Sequence, residues 1–393
     1  MRKLVIFILG VFSSLSVMAN DAKFSVLTCA PSNEAYALFG HTGLRYQNPS
    51  RGIDVVFNYG YFDFDSPNFV WRFIIGETDY MVGAVSFDVF CKGYQQRGSE
   101  VVEQVLDLTP EQAQELFRML MENCRVENRT YRYNYFYNNC TTKIRDKVAS
   151  VADSIALDAT AKYPTFRDAL NALLVNHEWY AFGINLLLGA DIDSPATVED
   201  LQFLPQNFMN DLDACYIVNA DGEKLPLVTE KGVAVPVDAD VAAVTANGHS
   251  NMTPFNVMLL LLVATFIVMS CEVRKKKTFW GFDVLLMTLQ GLGGSLLLFM
   301  ALFSQHPAVD NNWLLLFLNP LALVLMPVYV YRIRKHKSMK IAWIQVAMVA
   351  LFFVSAILLL QVYPLPIYFC AAALLVRSLF LIYKENICEL SRF

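Results

Sequence analysis

Five apolar runs crowd the last third of the chain, and the loops between them alternate in charge. The runs are Phe255–Cys271, Phe279–Phe303, Trp313–Tyr331, Ile341–Val362 and Ile367–Tyr383, each about long enough to cross a bilayer as a helix. Arg274, Lys275, Lys276 and Lys277 separate the first two runs; Arg332, Arg334, Lys335, Lys337 and Lys340 separate the third and fourth. The other two connections, Ser304–Asn312 and Gln361–Pro366, hold no Lys or Arg. Basic loops stay on the cytoplasmic side. Five spans in that orientation leave the C-terminus inside and everything before Asn251 outside.

The other end of the chain requires the same topology independently. Arg2 and Lys3, the apolar stretch Leu4 to Leu9, and Val17-Met18-Ala19 form the charged, apolar and small-residue parts of a secretory signal, with cleavage after Ala19. Residues 20–250 then mix polar and apolar character and are long enough for a folded core. This division explains why 55% hydrophobic and 17% charged residues suit neither a soluble protein nor a pure membrane bundle. The net charge of −5, with basic clusters only in the inner loops, argues against nucleic-acid binding.

Within the exported part, Phe24–Thr28 reads as a strand, and Gly40–Tyr46 with Ile53–Tyr59 as a hairpin across a polar turn. Pairing Tyr46 with Ile53 sets His41 opposite Asn58 on one face. Tyr80–Phe90 and Glu100–Leu108 read as further strands. Thr109-Pro110-Glu111-Gln112 carries the signs of a capped helix start, with the helix running to about Asn123. Helix is expected from Cys140, through Val151–Ile155, and over Thr165–Leu188. Ala214–Val235 reads as a hairpin turning at Asp221-Gly222, and 236–250 as a small-residue tether.

Five of the eight cysteines fall in the exported part (Cys29, Cys91, Cys124, Cys140 and Cys215). An odd number leaves at least one thiol free or paired between molecules. None has the spacing of a metal site, and no cofactor is called for. Cys140 stands at a helix start, where unpaired backbone N–H groups favour a thiolate, and Lys143 and Arg145 would add positive field. The alternative is a thiol that only packs. Of His41, His177 and His249, the first lies between Gly40 and Gly43, where the backbone leaves room for a ligand. A Cys140–His41 pair follows, with Asn58 as the group that orients the imidazole and Asp54 as runner-up.

The order His, polar orienter, Cys reverses that of papain and suits a circularly permuted papain-like domain of α+β class. The stretches that carry a further likeness are Leu27-Thr28-Cys29, Phe39-Gly40-His41-Thr42, Phe57-Asn58-Tyr59-Gly60 with Phe62-Asp63-Phe64, and Asn139-Cys140-Thr141-Thr142 with Arg145-Asp146. His306-Pro307, Asn312-Trp313 and Asn319-Pro320 extend it into the membrane half. Together they resemble the Lnb family of bacterial lipoprotein N-acyltransferases. The chain departs from that pattern at Asn138, where Asp is expected, and at Lys143, where Arg is usual. The resemblance implies acyl transfer from a membrane phospholipid, through a Cys140 thioester, to the terminal amine of a lipid-modified lipoprotein. Asn139 or Tyr137 would serve the tetrahedral oxyanion with the Cys140 N–H. His306 and Asn312 would contact a headgroup or lipoprotein. Arg377, within the last run, either snorkels to the cytoplasmic side or pairs inside the bundle. A cysteine peptidase or amidase, a thiol phospholipase, and a non-enzymatic envelope module are the rival readings.

Overall fold

The computed structural model describes residues 21–34, 36–62, 65–152, 155–218, 222–241 and 252–390, with side chains placed up to 384. The signal segment, Asp63, Phe64, Asp221, His249 and most of the tether therefore lie outside the described residues.

A seven-stranded antiparallel sheet forms the centre of the first half. Its first strands are β1 (Lys23–Cys29), β2 (His41–Asn48) and β3 (Ile53–Tyr61). Helix α1 (Phe69–Ile74) leads to β4 (Asp79–Ser86), and α2 (Phe87–Gln95) to β5 (Val101–Leu106). Then come α3 (Pro110–Asn123), β6 (Thr130–Arg132), α4 (Cys140–Ala149) and β7 (Ile155–Leu157). Helices α5 (Phe166–Leu173), α6 (Glu178–Leu187), α7 (Val198–Leu201) and α8 (Pro205–Ala214) follow. Strands β8 (Cys215–Val218), β9 (Lys224–Pro226) and β10 (Val228–Val235) complete the domain. The sheet runs β10-β5-β1-β2-β3-β4-β6. This is the mixed α+β class expected, with His41 on β2, Asn58 on β3 and Cys140 opening α4.

Strand alternation divides the sheet between two cores. Leu44, Tyr46, Phe57 and Tyr59 pack on one face against Leu116 and Leu120 of α3, Ile144 and Val148 of α4, and Phe208 of α8. Leu27, Cys29, Val56 and Val101 pack on the other face against Phe90 of α2. Helix α3 begins as its sequence indicates. The Thr109 hydroxyl accepts from the Gln112 N–H and the Gln112 side chain accepts from the Thr109 N–H.

Several expectations need correction. Phe87–Phe90 is helix rather than strand, because the Ser86 hydroxyl accepts from the Val89 N–H and starts α2. Thr165–Leu188 divides into α5 and α6, and α4 ends at Ala149, with Val151 and Ala152 outside it and Ile155 opening β7. The 214–235 segment pairs as β8 with β9, but β10 crosses to the main sheet and pairs with β5.

Four helices of the second half are long and apolar enough to cross a membrane: α9 (Pro254–Lys275), α10 (Trp280–Phe303), the stretch Trp313–Arg334 that includes α11 (Leu321–Arg334), and Leu365–Lys384 of α13 (Leu365–Leu390). The fourth apolar run forms the shorter α12 (Ala342–Ile357), about 24 Å at helical rise. Trp313–Arg334 is broken at Asn319-Pro320 between a 3-10 turn and α11. The freed Phe317 carbonyl accepts from Gln290 at 2.5 Å and from Asn319 at 3.2 Å, as backbone at membrane depth requires. Arg377 does not snorkel; it pairs with Asp283 and Glu272 inside the bundle.

The two loops without Lys or Arg are those that meet the first domain. The Ser304 hydroxyl donates to the Ile74 carbonyl and the Gln305 N–H to the Ile75 carbonyl, beside α1. Asn311, Asn312, Gln361 and Val362 bond to residues 186–193 after α6. Helix α6 itself joins the bundle core, with Phe182, Leu186 and Leu187 packed among Leu297, Leu314 and Phe317.

Candidate active site

The observed register of β2 and β3 pairs Gly43 with Asn58 and Asn48 with Ile53. It is shifted by two residues from the expected pairing, because the turn is built on a 3-10 helix at Pro49–Arg51 that the Asn48 side chain caps. A two-residue shift keeps each side chain on its face. His41 and Asn58 are therefore diagonal neighbours rather than opposite ones, and their side chains still meet, with His41 Nε2 2.5 Å from Asn58 Oδ1. An amide oxygen only accepts, so Nε2 carries the proton and Nδ1 is left for a proton from elsewhere.

Two glycines make room for that ring. Gly40 has φ +78°, and a Cβ there would lie 2.6 Å from the Cys29 carbonyl oxygen. Gly60 has φ +110° and faces the imidazole, its ideal Cβ position 3.6 Å from His41 Cε1. A side chain at either position would be strained by the positive φ, and at Gly40 it would also strike the Cys29 carbonyl.

Cys140 is the first residue of α4 and Asn139 is its cap. The Asn139 oxygen accepts from the Thr141 and Thr142 N–H groups, and its amide nitrogen donates to the Tyr135 and Phe203 carbonyls. Its side chain is engaged in holding the helix start. The Thr42 and Thr141 hydroxyls meet at 3.0 Å and tie α4 to β2 one residue from His41 and Cys140 respectively. This clamp sets His41 and Cys140 close enough for the charge of each to act on the other.

The electrostatics favour a thiolate. Burial alone would raise the Cys140 pKa; the His41 charge, its hydrogen bond, the Thr42 N–H and the Thr141 hydroxyl outweigh that and lower it from 9.0 to about 7. Burial likewise opposes the imidazolium, yet the Cys140 charge and the bonds to Cys140 and Asn58 raise the His41 pKa. Lys143 and Arg145 contribute elsewhere. Lys143 lies over the Tyr131 ring and Arg145 bonds to Asp146 and the Glu199 carbonyl.

Asp54 is not near the histidine. Its carboxylate forms a two-point pair with Arg45, at 2.8 and 2.6 Å, and Arg45 also bridges to Glu103. Tyr137 is exposed, with only ring-edge contacts to Phe136 and Phe166. His306 and Asn312 are committed to the chain itself. His306 Nε2 lies 2.6 Å from the Phe73 carbonyl oxygen, and the Asn312 amide donates to the Leu186 carbonyl at 2.8 Å. These bonds link the two halves.

One group that sequence reasoning passed over is Tyr135. Its hydroxyl is buried with no hydrogen-bond partner among the described residues. Burial, and then the charge of Cys140, push its pKa well up, which puts it within electrostatic reach of the sulfur. The only signal was its place in the tyrosine- and asparagine-rich run before Cys140. The five cysteines of the domain are all free. Cys29, directly across the sheet from His41, is buried and its pKa is raised by that burial.

Two family models match the chain. The Lnb N-terminal periplasmic domain covers residues 13–172 and the Lnb transmembrane domain covers residues 246–386. No curated protein and no solved structure matches it.

Proposed function

Because this chain belongs to the Lnb family, whose membership points to lipoprotein N-acylation, we propose that it is a thiol acyltransferase acting through Cys140. The acyl donor is a membrane phospholipid and the acceptor is the N-terminal cysteine amine of a lipid-modified lipoprotein. The observation that carries this reading is the Asn58–His41–Cys140 chain of contacts, with the Cys140 pKa lowered to about 7. The catalytic domain stands on the periplasmic side of the inner membrane and the C-terminus in the cytoplasm, as the charge of the loops requires.

His41 takes the thiol proton and the sulfur attacks an ester carbonyl of the phospholipid. As the tetrahedral intermediate collapses, the C–O bond breaks, the His41 imidazolium protonates the departing alkoxide, and a lysophospholipid leaves a thioester on Cys140. The lipoprotein amine then attacks the thioester carbonyl. His41 accepts the amine proton, the C–S bond breaks, and an amide and the starting Cys140–His41 pair result. Asn58 holds the imidazole with Nδ1 towards the sulfur. The backbone N–H of Cys140 has no acceptor within its own helix, and with the unpaired Tyr135 hydroxyl it supplies the donors for the oxyanion.

Mass spectrometry of lipoprotein N-termini tests the proposal, comparing cells with the wild-type protein, with Cys140→Ser, and without the protein. The expected result is an acylated amine with the wild-type protein only. A free amine in all three would sink acyl transfer to lipoproteins. A Cys140 thioester that turns over only to free fatty acid would instead identify a phospholipase.

A further inference from the structure

A strip of stacked aromatic rings joins the catalytic side of the domain to the membrane bundle. Tyr133 lies face to face with Tyr80, centroids 4.2 Å apart, and Tyr80 with Phe62 at 5.0 Å. Phe62 stacks on Phe69 at 5.9 Å, and Phe69 on Phe73 at 6.2 Å. Every step has its ring planes within 27° of parallel, so the rings present one continuous apolar wall. Tyr133, Tyr80 and Phe73 belong to none of the buried cores, and the Phe73 side chain is exposed.

The two ends of the wall define what it meets. At one end, burial and then the charge of the Cys140 thiolate lift the Tyr80 pKa to about 12, and Tyr133 stands in the segment that runs directly into α4. At the other end, Phe69 and Phe73 lie on α1, whose Val70 and Trp71 are exposed apolar side chains. Trp71 packs on Phe299 with centroids 5.4 Å apart. Phe299 lies four residues inside the outer end of α10, about 6 Å down that helix. Helix α1 therefore packs against the bundle beside the outer end of α10, with Val70 and Phe73 left exposed.

We propose that this aromatic strip is a track for an acyl chain, guiding one tail of a phospholipid from the bilayer past Phe73, Phe69, Phe62 and Tyr80 to Cys140. The proposal rests on the acyl-transfer reading above and names where the donor binds. An ester carbonyl that reaches a sulfur outside the bilayer brings its methylenes with it, and each one surrendered to water opposes the step. A stack of rings that runs from the segment before α4 to α1 offers those methylenes aromatic carbon in place of water. Phe62 and Tyr80 act on donor binding; neither belongs to the catalytic group.

The test uses the full-length protein in phospholipid vesicles and reads the Cys140 thioester by intact mass. Dipalmitoyl phosphatidylethanolamine is compared with dihexanoyl phosphatidylethanolamine, whose tails are too short to span the wall. Tyr80→Ala and Phe62→Ala are expected to slow thioester formation about tenfold or more with the long-chain donor and far less with the short-chain one. Tyr80→Leu and Phe62→Leu, which keep an apolar surface, are expected to recover most of the long-chain rate and to control for misfolding. Equal losses with both donors, or no loss with either, would overturn the track. A wild-type protein that forms no thioester from either donor would sink the acyl-transfer reading itself, and the track with it.

Discussion

The candidate active site and the seam between domain and bundle are both built from buried polar side chains, and they use them in opposite ways. In the seam, Arg167 donates to both Asp193 oxygens, to Asn185 and to the Leu188 and Gly189 carbonyls. Asp193 in turn accepts from the Val362 N–H, and Asn312 and Gln361 bond to each other and to carbonyls after α6. Most of the donors there are spoken for, as a buried structural network requires. At the candidate site, the Tyr135 hydroxyl has no hydrogen-bond partner among the described residues, and the Cys140 N–H, at the first position of α4, has no acceptor in its helix. Paired groups fix a shape, whereas unpaired ones are available to a reacting molecule.

The sharpest break between the two regions is Cys140→Ser. Thioester formation and lipoprotein acylation should fall by about 10⁴-fold or more, while thermal unfolding in detergent shifts by no more than about 1 kcal/mol. Arg167→Met should do the reverse. It leaves Asp193 buried without its cation, at a cost of about 3–5 kcal/mol, and the surviving folded protein should keep its thioester rate. Loss of activity with unaltered stability would make the seam part of the site and erase the contrast.

Tyr135→Phe probes the contrast from the pocket side. Removing an oxyanion donor should slow thioester formation about 10²-fold. The same change should leave stability unaltered or raise it, since a buried hydroxyl without a partner is itself destabilising. A loss of both activity and stability would assign Tyr135 to packing. The pH dependence of alkylation at Cys140 separates the pocket electrostatics from mere exposure. The thiol pKa is depressed, so its reactivity should rise as pH increases through about 7. In His41→Ala the opposing burial acts without the compensating charge, and the rise should move above 9.0. The smallest effect belongs to His306→Ala at the seam, which removes one bond to the Phe73 carbonyl and should cost about 0.5–1.5 kcal/mol.

The reactive pair was legible because its signals are local: a cysteine at a helix start, a histidine between glycines, and a strand parity that survives a two-residue register error. Asn58 was legible for the same reason, and Asp54 was a false rival because parity alone cannot show that Arg45 claims it. Asn139, His306 and Asn312, expected to meet substrate, all bond to the chain itself. Each is a polar residue in a conspicuous motif, and only the folded chain shows the carbonyls that already occupy it.

Charge and hydropathy by themselves determined that an exported α+β domain precedes a helical membrane bundle, because solvation acts on residues one at a time and leaves its mark on composition. The tertiary structure alone decided that α1 and α6 pack against the spans, that the loops without Lys or Arg meet the domain, and that the Tyr135 hydroxyl has no partner among the described residues. Those outcomes depend on which groups from distant parts of the chain meet at hydrogen-bonding distance, and no local pattern carries that information.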